Sequence, residues 1–338
     1  MLQITLDKPG TFSLGQSPEP TTPPAGFARV RVRRLGICGT DWHAYHGRQP
    51  FFTYPRVLGH ELGVEVEAVN DPASMLKPGD RCTVEPYLNC GRCIACRRGK
   101  SNCCTDLKVL GVHIDGGMRE QILVPTAKLH RSDKLTLDQL ALVETLGIGC
   151  HAVARAQVNK DDTVLVLGAG PIGLSVLQFV LAAGVQPIVA DTAESRLAFC
   201  REQLHVAKTV DARGDVLAQV TGMLGGELPT CVIDATGNSA SMMKCFDLVA
   251  HGGRIVFVGL FPGEVTFNDP NFHRREISLM ASRNALPGDF TRIISLIESG
   301  VVDTTPWITH RAAATQFAEA LPDWLDPKAQ LLKAMLEF

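Results

Sequence analysis

Residues 163–191 hold the pattern that most restricts the fold. TVLVL is a continuous apolar run, and Gly168-Ala169-Gly170-Pro171-Ile172-Gly173 follows it at once, opening LSVLQFVLAAG. Four apolar residues after Thr163 and then a glycine-punctuated turn into a helical stretch ending at Gly184 predict a strand, a tight loop and a helix. Each glycine has a separate task. Gly168 permits the turn out of the strand, Gly170 lets backbone approach a pyrophosphate, and Gly173 lets the helix pack closely on the strand. The helix start, with Pro171 and Ile172 in its first turn, offers unsatisfied N–H groups and the positive end of its dipole to phosphate. Asp191 ends the next strand, PIVAD, 18 residues after Gly173. A carboxylate there accepts hydrogen bonds from the adenosine ribose and repels a 2′-phosphate, so NAD is expected over NADP. Arg196 lies close by and works the other way, because an arginine accommodates the extra phosphate.

The same signature continues downstream. ESRLAFCREQL reads as a second helix, while TCVIDATG and GRIVFVGL supply further strands. Strands buried on both faces and alternating with helices predict a doubly wound parallel sheet of the Rossmann type, over residues 147–282. The N-terminal part is different. ARVRVRRLGIC and GVEVEAV alternate or run β-branched, and KPGD marks a turn, which predicts a β-rich, partly closed barrel. LTLDQLALVETLGIGCHAVARAQ is expected to be helical, with Asp138 as its N-cap. The α/β domain is therefore expected to sit between two pieces, 1–146 and 283–338, of the other domain. GRIVFVGL is a candidate edge strand for pairing across subunits.

Cysteine placement is the second constraint. The chain holds 11 cysteines, five of them within residues 90–104. Cys90-x2-Cys93-x2-Cys96-x7-Cys104 offers four thiolates at a spacing suited to a closed tetrahedral zinc site in a lobe over residues 88–106. Gly91-Arg92 can turn the first two sulfurs towards one ion, and Arg92, Arg97, Arg98 and Lys100 would offset the charge. Cys103 adjoins Cys104, and spacing favours Cys104. With no open position, such a zinc holds a loop and does no chemistry.

A second set of ligand types is dispersed: Cys38 in GICGTDWH, His60 and Glu61 in VLGHE, and Glu144 in LVETLG. A thiolate, an imidazole and a carboxylate can hold zinc with one position open, the arrangement of a catalytic site. Such an ion makes a bound hydroxyl acidic near neutral pH, and hydride transfer to NAD needs an anionic donor. Taken singly, Cys38 and His60 also suit ordinary core positions. Glu144 in an apolar stretch needs a partner.

GICGTD, VLGHE, the four-cysteine lobe, GAGPIG and HGGRIVFVGL occur in that order. On these motifs the chain resembles the zinc-containing medium-chain dehydrogenases over its full length, nearest the polyol group with sorbitol and threonine dehydrogenases. The resemblance implies a GroES-like catalytic domain beside the Rossmann domain, with the active cleft between them. It implies Cys38 and His60 as ligands of a catalytic zinc, with Glu61 or Glu144 as the third, and it favours Cys104 in the structural site. Thr40 and His43 match the proton-relay positions, Thr40 receiving the substrate proton and His43 passing it towards solvent through the nicotinamide ribose. GICGTDWHAYHGRQPFFTYPRVLGHE and VGLFPGEVTFNDPNFHRREISLMASRNA are similar to bacterial sugar-acid dehydrogenases that oxidise L-galactonate or L-gulonate at C5.

A carboxylated substrate needs a basic partner. Arg48, His113 and Arg283 fall in segments expected near the cleft, with Asn284 as a hydroxyl contact; each also suits an ordinary surface role. The enzyme alternatives are L-threonine 3-dehydrogenase and sorbitol/L-iditol dehydrogenase. Against threonine, TVEPYLNC lacks the histidine-bearing sequence of that group. A non-catalytic nucleotide-binding relative is the alternative of another class. The partner is a small polar molecule, with a homo-oligomer, tetramer over dimer, implied by the family. Net charge is −2, which argues against nucleic acid. No apolar run reaches a membrane span, and MLQITLDKPG does not read as a signal peptide, so the expected location is cytoplasmic.

Overall fold

The computed structural model describes every residue except 49–51. It divides into two compact units, Met1–Thr145 with Ala285–Phe338, and Leu146–Asn284.

The second unit is built on six strands, all parallel, in the spatial order Lys208–Asp211, Ile188–Asp191, Val164–Leu167, Cys231–Asp234, Arg254–Phe257, Ser278–Ala281. Numbered along the chain this order is 3-2-1-4-5-6, so it reverses between Val164–Leu167 and Cys231–Asp234, the point where an open α/β sheet binds its ligand. All four residues of Val164–Leu167, Ile188–Asp191 and Cys231–Asp234 are buried, because helices cover both faces. GRIVFVGL is not an edge: its strand Arg254–Phe257 pairs on both sides, and Ser278–Ala281 takes the outer place. The glycine motif opens the helix Pro171–Ala182, with Gly170 as N-cap and Pro171 in its first turn. Gly168 has φ +92°, a left-handed conformation that glycine adopts without steric cost.

In the first unit, a seven-stranded sheet is organised by one long strand, Phe27–Ile37. Its alternation is literal. Ala28, Val30 and Val32 enter the core, while Arg29 and Arg31 face Glu67 and Arg33 faces Glu65. On one side it pairs with Glu61–Asn70 along its length. On the other it pairs first with Gln121–Pro125 and then, near its end, with the C-terminal strand Lys333–Glu337. The cysteine lobe projects from a two-stranded ribbon, Tyr87–Leu88 with Lys108–Val109. The helix Leu137–Ala156 starts two residues earlier than an Asp138 cap requires. Thr136 accepts from the Gln139 N–H at 3.2 Å, and Gln139 Oε1 accepts the Thr136 N–H at 2.9 Å, a reciprocal capping box. Asp138 instead pairs with Arg34 and Arg311.

A Cβ at Gly173 would overlap the Gly168 carbonyl oxygen. Gly173→Ala is therefore expected to lower stability by about 1–3 kcal/mol, the range for overpacking, and to weaken NADH binding. Urea denaturation with fluorescence titration measures both, and a variant matching the parent in both would show that the loop tolerates a methyl group.

Candidate active site and metal centres

The strand register gathers the dispersed donors. Gly36 stands opposite Glu61, and Ala334 stands opposite Ile37, so the residues just beyond these pairs converge. Cys38 follows the long strand and caps the short helix Gly39–Tyr45. His60 precedes the strand that Glu61 opens. Ligand atoms of Cys38, His60 and Glu61 lie within 4.8 Å of one another. Glu144, on the helix Leu137–Ala156, falls outside that group, yet its charge acts on His60. Gly36 is required at its position: a Cβ there would overlap Glu61 Oε2.

Asp41 fixes Cys38. Its Oδ2 accepts the Cys38 N–H at 2.9 Å, and it is buried, which raises its pKa above the ordinary value. Thr40 is half-buried and His43 exposed on the same helix.

Two residues that the sequence reading passed over hold the carboxylates. Lys333 is fully buried and donates to both oxygens of Glu61 at 2.7 Å, with the Ile37 carbonyl at 3.3 Å and Thr145 Oγ1 at 3.4 Å beyond them. The tyrosine hydroxyl of Tyr87, also buried, donates to Glu144 Oε1. A lysine within the apolar run KAMLEF was the legible signal, since a buried ammonium needs a carboxylate. Burial alone would raise Glu61, but Lys333 and His60 bring its pKa below the ordinary value. Glu144, without an ammonium on it, is raised by burial.

The donor chemistry fits a cation. Burial should suppress the charged form of His60, yet Cys38, Asp41 and Glu144 together hold its pKa well above 6.5. A fully buried imidazole is thus drawn to bind a proton, the response of a site with excess negative potential. Its Nδ1, buried, has no hydrogen-bond partner. The mixed sulfur, nitrogen and oxygen set suits zinc.

The second group of candidate donors also gathers in space. Sγ atoms of Cys90, Cys93, Cys96 and Cys104 lie within 4.8 Å of one another, whereas Cys103 is exposed. Backbone amides support the sulfurs: Cys90 N–H donates to Cys104 Sγ at 3.2 Å, and Cys96 N–H to Cys93 Sγ at 3.5 Å. The Cys96 amide brings the Cys93 thiol down to about 5, while burial pushes Cys104 up to about 11. Arg92, Arg97, Arg98 and Lys100 are exposed around it.

In the other unit, Asp191 anchors the glycine loop. Its Oδ2 accepts the Ala169 N–H at 2.7 Å, its Oδ1 the Ala193 N–H at 2.8 Å, and Arg196 Nη1 stands 3.8 Å away. The loop after the neighbouring strand packs on Gly168 through Thr236, and Asp234 holds that loop by accepting the Thr236 N–H at 2.9 Å. Among the four substrate candidates, Arg48 is exposed and its N–H donates to the His43 carbonyl at 2.8 Å. His113 Nδ1 accepts the Val109 N–H at 3.1 Å, which fixes its ring on its own turn. Arg283 is exposed, and Asn284 has φ +52°. Arg48 and His113 belong to the first unit, Arg283 and Asn284 to the second.

Removing the ammonium while keeping the side-chain bulk tests the buried pair. Lys333→Met strands the Glu61 charge and is expected to cost about 3–5 kcal/mol, read by urea denaturation with chelator present. A loss below about 1 kcal/mol would mean that Glu61 does not depend on Lys333.

Comparison with known proteins agrees with this architecture. Residues 24–134 match the family model for the alcohol dehydrogenase GroES-like domain, and residues 171–299 that for zinc-binding dehydrogenase. An L-galactonate-5-dehydrogenase of Escherichia coli (strain K12) is 41% identical over 311 residues, 92% of each chain. An L-arabinitol 4-dehydrogenase of Hypocrea jecorina is 30% identical, covering 92% of this chain and 85% of that one. The crystal structure of an alcohol dehydrogenase (rspB) from E. coli CFT073 complexed with NADH superposes with a TM-score of 0.93 at 32% identity, covering 100% of this chain and 99% of that one. Among the described residues, no helix is long and apolar enough to cross a membrane. The chain belongs to the zinc-type alcohol dehydrogenase family, oxidoreductases that act on CH–OH donors.

Proposed function

We propose that the chain is a zinc-dependent, NAD-linked dehydrogenase that oxidises a secondary hydroxyl of a sugar acid or polyol, with L-galactonate or L-gulonate oxidised at C5 as the leading substrates. The observation that carries this reading is the convergence of half-buried Cys38 with buried His60 and Glu61 in a chain similar to an L-galactonate-5-dehydrogenase. Cys38, His60 and Glu61 would hold the catalytic zinc, with Glu144 beside it, and Cys90, Cys93, Cys96 and Cys104 a structural zinc. When bound, zinc supplies the Lewis acidity that makes the substrate hydroxyl acidic near pH 7, and NAD accepts the hydride.

The chain's own residues handle the proton and the orientation. The carbinol carbon gives up a hydride and its hydroxyl a proton, leaving a ketone. Thr40 takes the proton and His43 releases it. Their order on one short helix, half-buried hydroxyl before exposed imidazole, runs from interior to solvent. Arg48, tied by its backbone to His43, is the foremost candidate for the substrate carboxylate; His113, Arg283 and Asn284 remain proposed contacts. The glycine loop would take the pyrophosphate, with Gly168, Gly170, Pro171, Ile172 and Gly173 shaping it and Asp191 reading the ribose beside Arg196. We place the protein in the cytoplasm as a homo-oligomer, a tetramer over a dimer. The outer strand Ser278–Ala281, with Leu279 exposed, supplies a surface for that assembly.

A panel of L-galactonate, L-gulonate, sorbitol and L-threonine, followed by NADH absorbance, is expected to give the highest kcat/KM on a sugar acid. Activity should be lost with chelator and in Cys38→Ser while NADH still binds. Turnover of L-threonine alone, or a fully active Cys38→Ser variant, would end the proposal.

Cofactor choice has its own test. Asp191→Asn keeps an acceptor but removes the charge, and the ratio of NAD to NADP affinity is expected to fall by roughly tenfold, about 1.4 kcal/mol. An unchanged ratio would mean that another group reads the 2′ position.

A further inference from the structure

Tyr87 stands where two parts of the first unit meet. It begins the strand Tyr87–Leu88, whose partner is Lys108–Val109, with Tyr87 directly opposite Val109. All four clustered cysteines lie between these strands, so the ribbon is the root of the lobe. At the same time its hydroxyl donates to Glu144 Oε1. The ring cannot easily turn aside. Phe290, fully buried, meets it edge-on at 6.3 Å and 71°, and His130 stacks on Phe290 at 4.9 Å. His130 is in turn held at 3.1 Å by the buried Glu85, two residues before Tyr87. Pro86, between them, accepts the Leu110 N–H at 3.1 Å, which locks the ribbon's other strand to the same segment.

We propose that Tyr87 is a positioning residue that pins the Glu144 carboxylate to the root of the cysteine lobe, so that the integrity of the lobe sets where Glu144 stands beside Cys38, His60 and Glu61. The inference rests on the reading of those three residues as a metal site. Glu144 lies outside the tight donor group, so its orientation comes from what it is bonded to. A closed metal site stiffens its loop. Here that stiffness passes along one short strand to a hydroxyl and from it to a carboxylate. Partners of this kind change metal affinity or activity by roughly 10–100-fold when removed.

The test uses whole protein with zinc in the lobe and Co2+ in the exchangeable site, in the parent, Tyr87→Phe, Cys93→Ser and the double variant. In Tyr87→Phe the ring and its packing stay while Glu144 loses a buried hydrogen bond, so the protein is expected to remain folded with a modestly lower unfolding midpoint. The visible Co2+ spectrum should shift, and Co2+ affinity should fall by roughly tenfold or more. Cys93→Ser should shift the same band in the parent background but have little further effect once Tyr87→Phe is present. A Tyr87→Phe variant with parental spectrum and affinity overturns the proposal. So does a Cys93→Ser effect of equal size in both backgrounds. Should Cys93→Ser fail to fold, Tyr87→Phe alone decides. A parent protein that binds no Co2+ beyond the lobe would instead refute the metal-site reading itself, a result distinct from the other two.

Discussion

The register of one strand carries the chemistry of the first unit. Because Gly36 faces Glu61 and Ile37 faces Ala334, the turn at Cys38 is bordered by His60 on one side and Lys333 on the other. A slip of one residue in either pairing would turn the buried side chains to the opposite face. The pairing is held by the alternating core residues Val30, Val32, Val64 and Val66 and, on the other face, by the arginine–glutamate pairs. Gly36 belongs to this constraint as much as the donors do, since the Glu61 carboxylate lies where a side chain would be.

The second unit solves a different problem with backbone. Its sheet is apolar on both faces and contributes no side-chain chemistry until the strand ends. There Gly168 turns, Asp191 ties two N–H groups, and Asp234 ties the loop after the neighbouring strand. Anion recognition by N–H groups needs the backbone to come close, which is why the sequence concentrates glycine at this point.

Local signals were legible in the sequence and long-range ones were not. The glycine loop and the cysteine lobe each lie within a short stretch where spacing reports geometry directly, and the strands TVLVL, PIVAD, TCVIDATG and GRIVFVGL each carry their own apolar signal. The edge of the sheet is Ser278–Ala281 and not GRIVFVGL; both are short apolar runs, and pattern does not say which has a second neighbour. Asp138 is a good capping residue by type, yet Thr136 with Gln139 three residues on makes the reciprocal pair. Lys333 and Tyr87 escaped because their partners, Glu61 and Glu144, are 272 and 57 residues away in sequence. No periodicity encodes such a contact.

The two buried glutamates are not equivalent, and their partners explain why. Glu61 faces an ammonium, so the pair Glu61–Lys333 is neutral overall, and breaking it leaves a charge without compensation. Glu144 faces a phenol, which donates a hydrogen bond but no charge. Asp41 has its own claims, the Cys38 N–H and the attraction of His60. Glu144 thus keeps a buried carboxyl group with no cation bonded to it, and it acts electrostatically on the neighbouring His60 imidazole. A lysine in place of Tyr87 would neutralise Glu144 as Lys333 neutralises Glu61. A phenol orients the carboxylate without neutralising it.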